Sequence, residues 1–330
     1  MKAMVLAAGF GKRLQPLTRT LPKPMFPVLG RPLLSHTFDL LQSAGIDDIA
    51  VNIHHLPNSI INYFEKENPP PFNLHFSTEE HILGTAGGIK KMQGFLEDGP
   101  FITINSDIIT DIDLNKVINF HKNNNSKLTL VVRQDIFPEQ YDSIEICKNG
   151  RIVHFIRASS MNIPENTTRV MFTGIQIMEP DIFERIPEGQ FCGTTEDIFP
   201  QMIQDDVPIY GYLHEGYWND MGNRESYLQV NADALNKKVT LKKASTYQAN
   251  SPSVIFPALV GPNCHISKDS KIGSHSIIGP NCIIESGTVI ENSILWGGVT
   301  VGAGTTIRRS VIAQNKTIGG GKNIIDQSII

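Results

Sequence analysis

Between Leu6 and Pro24 the chain reads Leu-Ala-Ala-Gly-Phe-Gly-Lys-Arg-Leu-Gln-Pro-Leu-Thr-Arg-Thr-Leu-Pro-Lys-Pro, and these residue types describe a site for a polyanion. Gly9 and Gly11 lack the Cβ that would hold a ligand away from the backbone. Successive N–H groups in a turn of this kind cradle an anion, and Lys12, Arg13 and Lys23 add cationic donors. The apolar run Ala3–Ala7 before the turn is a strand, too short for a helix and closed by glycine. Two familiar phosphate loops are excluded. The Gly-Lys-Ser/Thr ending of an NTPase P-loop is missing, and Leu14 stands where a dinucleotide fingerprint has its third glycine.

Taken whole, Gly-x-Gly-x-Arg-Leu-x-Pro-Leu-Thr followed by Pro-Lys-Pro resembles the signature of the sugar-1-phosphate nucleotidyltransferases, or nucleotide-sugar pyrophosphorylases. The wording Leu83-Gly-Thr-Ala-Gly87 is similar to that of the mannose-1-phosphate guanylyltransferases among them. The likeness covers nearly the whole chain and is strongest at 4–32, 79–88, 101–111 and 216–224. It implies a reaction in which a sugar-phosphate oxygen attacks the α-phosphorus of a nucleoside triphosphate and pyrophosphate leaves in line. By the same resemblance Leu6, Ala7, Ala8, Gly9 and Gly11 meet the nucleotide through backbone atoms, Arg13 lies along the triphosphate, and Lys23 engages the phosphates and orients the attack. Lys12 and Arg19 are read as surface charges. Asp107, in Ile104-Asn-Ser-Asp107-Ile, and Asp220, in Tyr217-Trp-Asn-Asp220-Met-Gly, match the family aspartates. Both are expected at strand ends, which suits a Mg²⁺ completed by waters and phosphate oxygens. Ser106 departs from the family glycine, and Asp111 and Asp113 read as turn and N-cap residues.

Gly84 matches the family glycine whose backbone meets the base, with Thr85 beside it. Uridylyl- and thymidylyltransferases commonly carry glutamine five residues earlier, where this chain has Glu79. A carboxylate only accepts hydrogen bonds, and guanine offers adjacent donors on one edge, so Glu79 favours GTP over UTP. Glu80 is the alternative acceptor. On the sugar side Gly174 matches the family glycine beside the hexose, and Arg157 is expected where many members have lysine. Asn52 with His54-His55 resembles a subset that includes muramate-phosphate uridylyltransferases, although core or loop placement is the plainer reading of the histidines. The expected substrates are GTP and mannose 1-phosphate. Heptose 1-phosphate with GTP, or a hexose or amino-sugar 1-phosphate with UTP, stay open. A non-catalytic, nucleotide-sugar-binding regulatory subunit is a further alternative, against which all four of Arg13, Lys23, Asp107 and Asp220 are present.

To position these groups the chain alternates strands with helices. Helices are expected at 34–41, near 58–66, and at 86–95 and 114–122, and strands at 48–53, 73–77, 101–105 and 127–133. The alternation implies parallel βαβ units with ligands at the carboxyl ends of the strands, where the Gly9–Gly11 turn falls. Beyond 134 come a hairpin turn at Lys148-Asn-Gly150, a strand at 170–178 and a helix capped by Asn223. Val254, Val260, Ile266, Ile272, Ile278, Ile284 and Ile290 then recur every six residues, and single deletions shift the register to Leu295 and again to Ile312. This hexapeptide pattern resembles the left-handed parallel β-helix, here with about four coils and Cys264 stacked over Cys282. The expected organisation is an α/β, Rossmann-like mixed-sheet nucleotidyltransferase domain over 1–236, a linker at 237–253 and a β-helix of hexapeptide repeats over 254–330.

A length of 330 residues accommodates two such domains at about 150 residues each. With a net charge of −4 and no long basic run, nucleic acid is not an expected partner, and no apolar run reaches the length of a membrane span. The four cysteines lack Cys-x-x-Cys spacing, which argues against zinc and against a secreted disulfide framework, so a cytoplasmic location is expected. The apolar Ala3–Ala8 is not read as a leader, because cleavage would remove the glycine turn. His265 and His275 invite comparison with β-helix acyltransferases, but four coils without a long inserted loop are too small for that site. The open coil edge is the expected surface for a homo-oligomer.

Overall fold

In a computed structural model, which describes residues 1–134, 144–155, 158–159, 165–244 and 253–330, the first apolar run is strand β1 (Lys2–Leu6). Its Ala3, Met4 and Val5 are fully buried because it has a parallel neighbour on each side: β2 (Asp48–Ile53) and β4 (Phe101–Asn105). β3 (Asn73–Thr78) pairs with β2 and alternates exposed and half-buried residues over most of its length, as an edge strand should. The sheet continues through β5 (Leu128–Gln134), β6 (Ile144–Ile146), β7 (Ile152–Phe155), β8 (Ala158–Ser159), β9 (Thr168–Met178) and β10 (Ile209–Leu213). Its order is β8-β7-β6-β9-β4-β1-β2-β3, with β5 paired to β9 and β10. β9 runs antiparallel to β4, β5 and β6, so the sheet is the expected mixed, Rossmann-like one.

Two of the helical segments start and stop differently from the sequence reading. The segment expected at 86–95 begins at Gly84 as α2 (Gly84–Lys91, after α1 at Leu33–Ser43) and breaks at Met92 before Gln93–Leu96. Paired glycines at 87 and 88 and a third at 94 weaken its helical propensity. The segment near 58–66 is α-helical only at Pro57–Ile61 and widens into a π turn over Asn62–Glu67. α3 (Leu114–Asn123) starts as expected on the Asp113 cap, and α4 (Arg224–Leu235) on an Asn223–Ser226 capping box. No helix among the described residues is long and apolar enough to cross a membrane.

By its contacts the chain forms two units. The first holds Met1–Gly9, Thr37–Ile108 and Ile112–Trp218, and the second Phe10–His36, Ile109–Asp111 and Asn219–Ile330. In the second unit the hexapeptide residues build the left-handed β-helix. Three parallel faces run from Leu259–Val260 to Ser328–Ile329, from His265–Ile266 to Thr317–Ile318, and from Lys271–Ile272 to Asn323–Ile325. The periodic aliphatic residues from Val254 to Ile324 fill its interior. Stacked residues are 18 apart at Asn263 and Asn281 and 17 apart at Ser293 and Ser310, the change following from the single-residue deletion. Asn263, Asn281 and Asn315 turn corners at φ 58°, a left-handed conformation that asparagine tolerates. Cys264 and Cys282 are free thiols; their mutual hydrogen bond and burial push Cys282 up.

Trp296, which follows the strand Ile294–Leu295, ties the coils to the rest of this unit. Its ring packs edge-on against Phe26 at 5.0 Å, and its Nε1 donates to the Tyr227 hydroxyl at 3.2 Å. That hydroxyl donates in turn to the Pro27 carbonyl at 2.7 Å, and Asn231 on the same helix accepts from Leu29 N–H at 3.0 Å. Trp296→Ala is expected to lower stability by about 3 kcal/mol, read as a reduced thermal midpoint. Trp296→Phe, which keeps a ring against Phe26, should lose less.

Candidate active site

The carboxyl ends of β1, β2 and β4 meet in the first unit. Leu6 lies in register with Asn52 and Asn105, and its carbonyl accepts from Ser106 N–H at 3.0 Å. Half-buried Asp107 follows directly, so the expected carboxylate does sit at a strand end. The Ala7 N–H donates to Asn52 Oδ1 at 2.8 Å, so this expected nucleotide donor is already engaged within the protein. Gly174 in β9 has φ +82°, and a Cβ there would stand 2.6 Å from Asn105 Nδ2. Glycine is required at that position, and it brings Gly174 beside the end of β4.

Glu79 is held within the protein. It is 2% exposed, with Oε1 accepting from Asn52 Nδ2 at 2.7 Å and Oε2 from Leu83 N–H at 3.0 Å. The structure thus gives its carboxylate two internal partners, Asn52 and Leu83. His54, read as a core or loop residue, meets the Glu79 carbonyl through Nδ1 at 2.8 Å. Gly84 holds φ +76° against the Cys192 backbone, whose carbonyl accepts from Ala86 and Gly87 N–H at 2.9 and 3.1 Å. Thr85 Oγ1 accepts from Thr194 N–H at 2.8 Å. Burial, with Asp197 nearby, pushes the Cys192 thiol up. A cavity of about 700 Å³ opens along this stretch, bounded by Glu79, Leu83, Gly87, Lys90, Lys91 and Glu188.

The cations belong to the second unit. Gly11 has φ +60°, and a Cβ there would lie 2.9 Å from the Thr18 methyl and 3.4 Å from Lys23 Cβ. Thr18 also donates to the Gly11 carbonyl at 3.2 Å, so Gly11, Thr18 and Lys23 form one packed corner. Lys23 opens the 3-10 turn Lys23–Met25 that leads into Phe26. The Arg13 guanidinium lies over Gly222, where a Cβ would come within 3.0 Å of both terminal nitrogens. Gly222 is two residues beyond Asp220, which ends the short strand Trp218–Asp220. Lys12 covers the Phe10 ring and Arg19 reaches Gln15, the surface placements expected of them.

Sequence reasoning missed Cys192 and Thr194, which carry no local signal because their partners are about a hundred residues away. Gly222 was visible in Asp-Met-Gly but had no role without Arg13 above it. Arg157 lies outside the described residues.

Two family models match the chain: "Nucleotidyl transferase" over residues 2–237 and "GMPPB C-terminal domain" over 254–330. A UTP–glucose-1-phosphate uridylyltransferase of Synechocystis is 30% identical over 90% of this chain and 83% of its own length. A mannose-1-phosphate guanylyltransferase of Mycobacterium tuberculosis is 30% identical over 91% and 80%. The solved structure of HddC from Yersinia pseudotuberculosis complexed with GMP-PN has a TM-score of 0.58 and 26% identity, covering 70% of this chain and 97% of that one.

The crowding at Gly84 makes a stability prediction. Gly84→Ala must both hold a positive φ and clear the Cys192 carbonyl, so a loss of about 2 kcal/mol or more is expected in urea unfolding.

Proposed function

The chain belongs to the nucleotidyl transferase family, and on that premise we propose that it joins GTP and mannose 1-phosphate into GDP-mannose with release of pyrophosphate. The observation that carries this choice within the sugar-1-phosphate nucleotidyltransferases is the match of the whole tail, 254–330, to the GMPPB C-terminal domain. The mannose-1-phosphate guanylyltransferase of M. tuberculosis supports it. A second reading, UTP with glucose 1-phosphate, is favoured by the Synechocystis relative at the same identity.

In the proposed reaction an oxygen of the sugar phosphate forms a bond to the α-phosphorus while the bond to the bridging oxygen breaks and the electron pair leaves on pyrophosphate. The backbone after β1 receives the triphosphate. Arg13, seated on Gly222, neutralises the leaving pyrophosphate, and Lys23 steadies the phosphates at the point of attack. Gly174, packed against Asn105 at the end of β4, is assigned to the hexose side.

Nucleotidyltransferases of this family generally use a divalent metal. Among the described residues no group of three or more His, Cys, Asp or Glu gathers to hold a metal, so the protein would supply one or two oxygen donors, as Mg²⁺ prefers. We assign those donors to Asp107 and Asp220. When bound, the ion supplies charge neutralisation on the phosphate oxygens.

Pyrophosphate release measured with four nucleoside triphosphates against several sugar 1-phosphates tests the assignment. GTP with mannose 1-phosphate should exceed every other pair by about tenfold in kcat/KM. Dominance of UTP with glucose 1-phosphate would establish the second reading instead. Asp107→Asn and Asp220→Asn should each lower turnover by about 10²-fold or more with the thermal midpoint little changed. Near-normal turnover would remove them from the metal site.

A further inference from the structure

Asn52 and Glu79 have no assigned part in phosphoryl transfer, yet they are only 3% and 2% exposed. A buried carboxylate is tolerated where donors meet its oxygens, and here they do. Read along its hydrogen bonds, the network runs from Ala7 N–H to Asn52 Oδ1 at 2.8 Å, then from Asn52 Nδ2 to Glu79 Oε1 at 2.7 Å. Glu79 Oε2 closes it by accepting from Leu83 N–H at 3.0 Å. One end is the first residue beyond β1, in the turn expected to cradle phosphate. The other is the residue before Gly84, in the stretch expected to meet the base. Gly88 makes room for the middle of the network: a Cβ there would lie 2.8 Å from both Asn52 Nδ2 and Glu79 Oε1.

We propose that Asn52 and Glu79 are positioning residues, a buried relay that fixes the backbone receiving the triphosphate relative to the backbone receiving the base. The assignment rests on the nucleotidyl-transfer reading of the site. Its consequence is that Glu79 supports binding of any nucleotide and does not itself choose among bases. The relay has a direction, because both of its ends are backbone donors and every bond between them needs one donor and one acceptor. Glu79→Gln has a single acceptor oxygen for two donors, Asn52 Nδ2 and Leu83 N–H. Asn52→Asp sets two buried carboxylates face to face. The double variant Asn52→Asp/Glu79→Gln restores every bond. Its new carboxylate at 52 accepts from Ala7 N–H and from the new amide at 79, whose oxygen still accepts from Leu83 N–H.

The test is a three-variant cycle read by steady-state kinetics and by amide hydrogen exchange without substrate. Each single variant should lower kcat/KM about tenfold or more, mainly through KM for the nucleotide and equally for GTP and UTP. The double variant should return to within about threefold of the parent. Exchange at Ala7 and Leu83 should quicken in both single variants and slow again in the double one. A changed GTP-to-UTP ratio in Glu79→Gln that the double variant does not restore would make Glu79 a base reader and overturn the relay. A double variant as impaired as the two losses combined would overturn it as well. Should the parent protein release no pyrophosphate from any pair, the function proposed above fails, and the exchange cycle at Ala7 and Leu83 still decides the relay.

Discussion

The edge of the Trp296 indole against Phe26 is the contact on which the organisation of the second unit depends. Phe26 directly follows the turn that carries Lys23, and the Tyr227 hydroxyl fills the space between indole and backbone by accepting from one and donating to the other. An aromatic with a polar handle suits this place, since the ring buries area while the N–H finds a partner. The solenoid beneath is a stack in which each coil is held by its neighbours. A cation-bearing segment without long regular structure of its own, Phe10–His36, is thereby seated on a rigid support. In the proposed reaction its cations would need such support, because small displacements of a phosphate ligand are costly.

The first unit positions its groups by a different device. Parallel order puts β2 beside β1 and β3 beside β2, so side chains at the ends of β2 and just beyond β3 can reach the turn that leaves β1. Asn52 and Glu79 occupy those places. In a low dielectric, satisfied polar bonds are strong and unsatisfied ones expensive, so the network admits few alternative geometries. Ser106 N–H does the same work from the β4 side by taking the Leu6 carbonyl. The turn's first residues are therefore fixed from two neighbouring strands before any ligand arrives.

What the sequence made legible was whatever is written locally. The six-residue period, the buried strands and the Asn223 cap each depend on neighbours within a few residues, and each is present in the structure. Asp107 could be placed at a strand end because the apolar run before it is short and bounded. What was not legible depends on distance. Glu79 was read from its place in the family pattern and its acceptor chemistry, and that chemistry is the same whether the partner is a guanine or Asn52, 27 residues away. The division of the chain into units was hidden for the same reason: contacts such as those of Phe26 with Trp296 and Leu29 with Asn231 join an early segment to residues some two hundred or more positions later. The break at Met92 and the π turn at Asn62–Glu67 lie where glycines or a proline-ended helix left propensity too weak to fix a boundary.

The loop at Gly84 shows why membership of the family constrains the reaction more tightly than the substrate. Gly84 is fixed by its positive φ and by the Cys192 carbonyl, and Thr85 by Thr194, so what these residues specify is a backbone path. A backbone path can present the same N–H and C=O groups to a purine or a pyrimidine. Relatives that are named for uridylyl transfer and for guanylyl transfer stand at the same 30% identity to this chain, so overall likeness does not separate the two. With each Glu79 oxygen taking one donor from within the protein, the proposed relay would leave discrimination between bases to other groups that line the loop. Lys90, Lys91 and Glu188 line the cavity beside Leu83, and on that reading an exchanged donor or acceptor among such side chains is the change a different base would need.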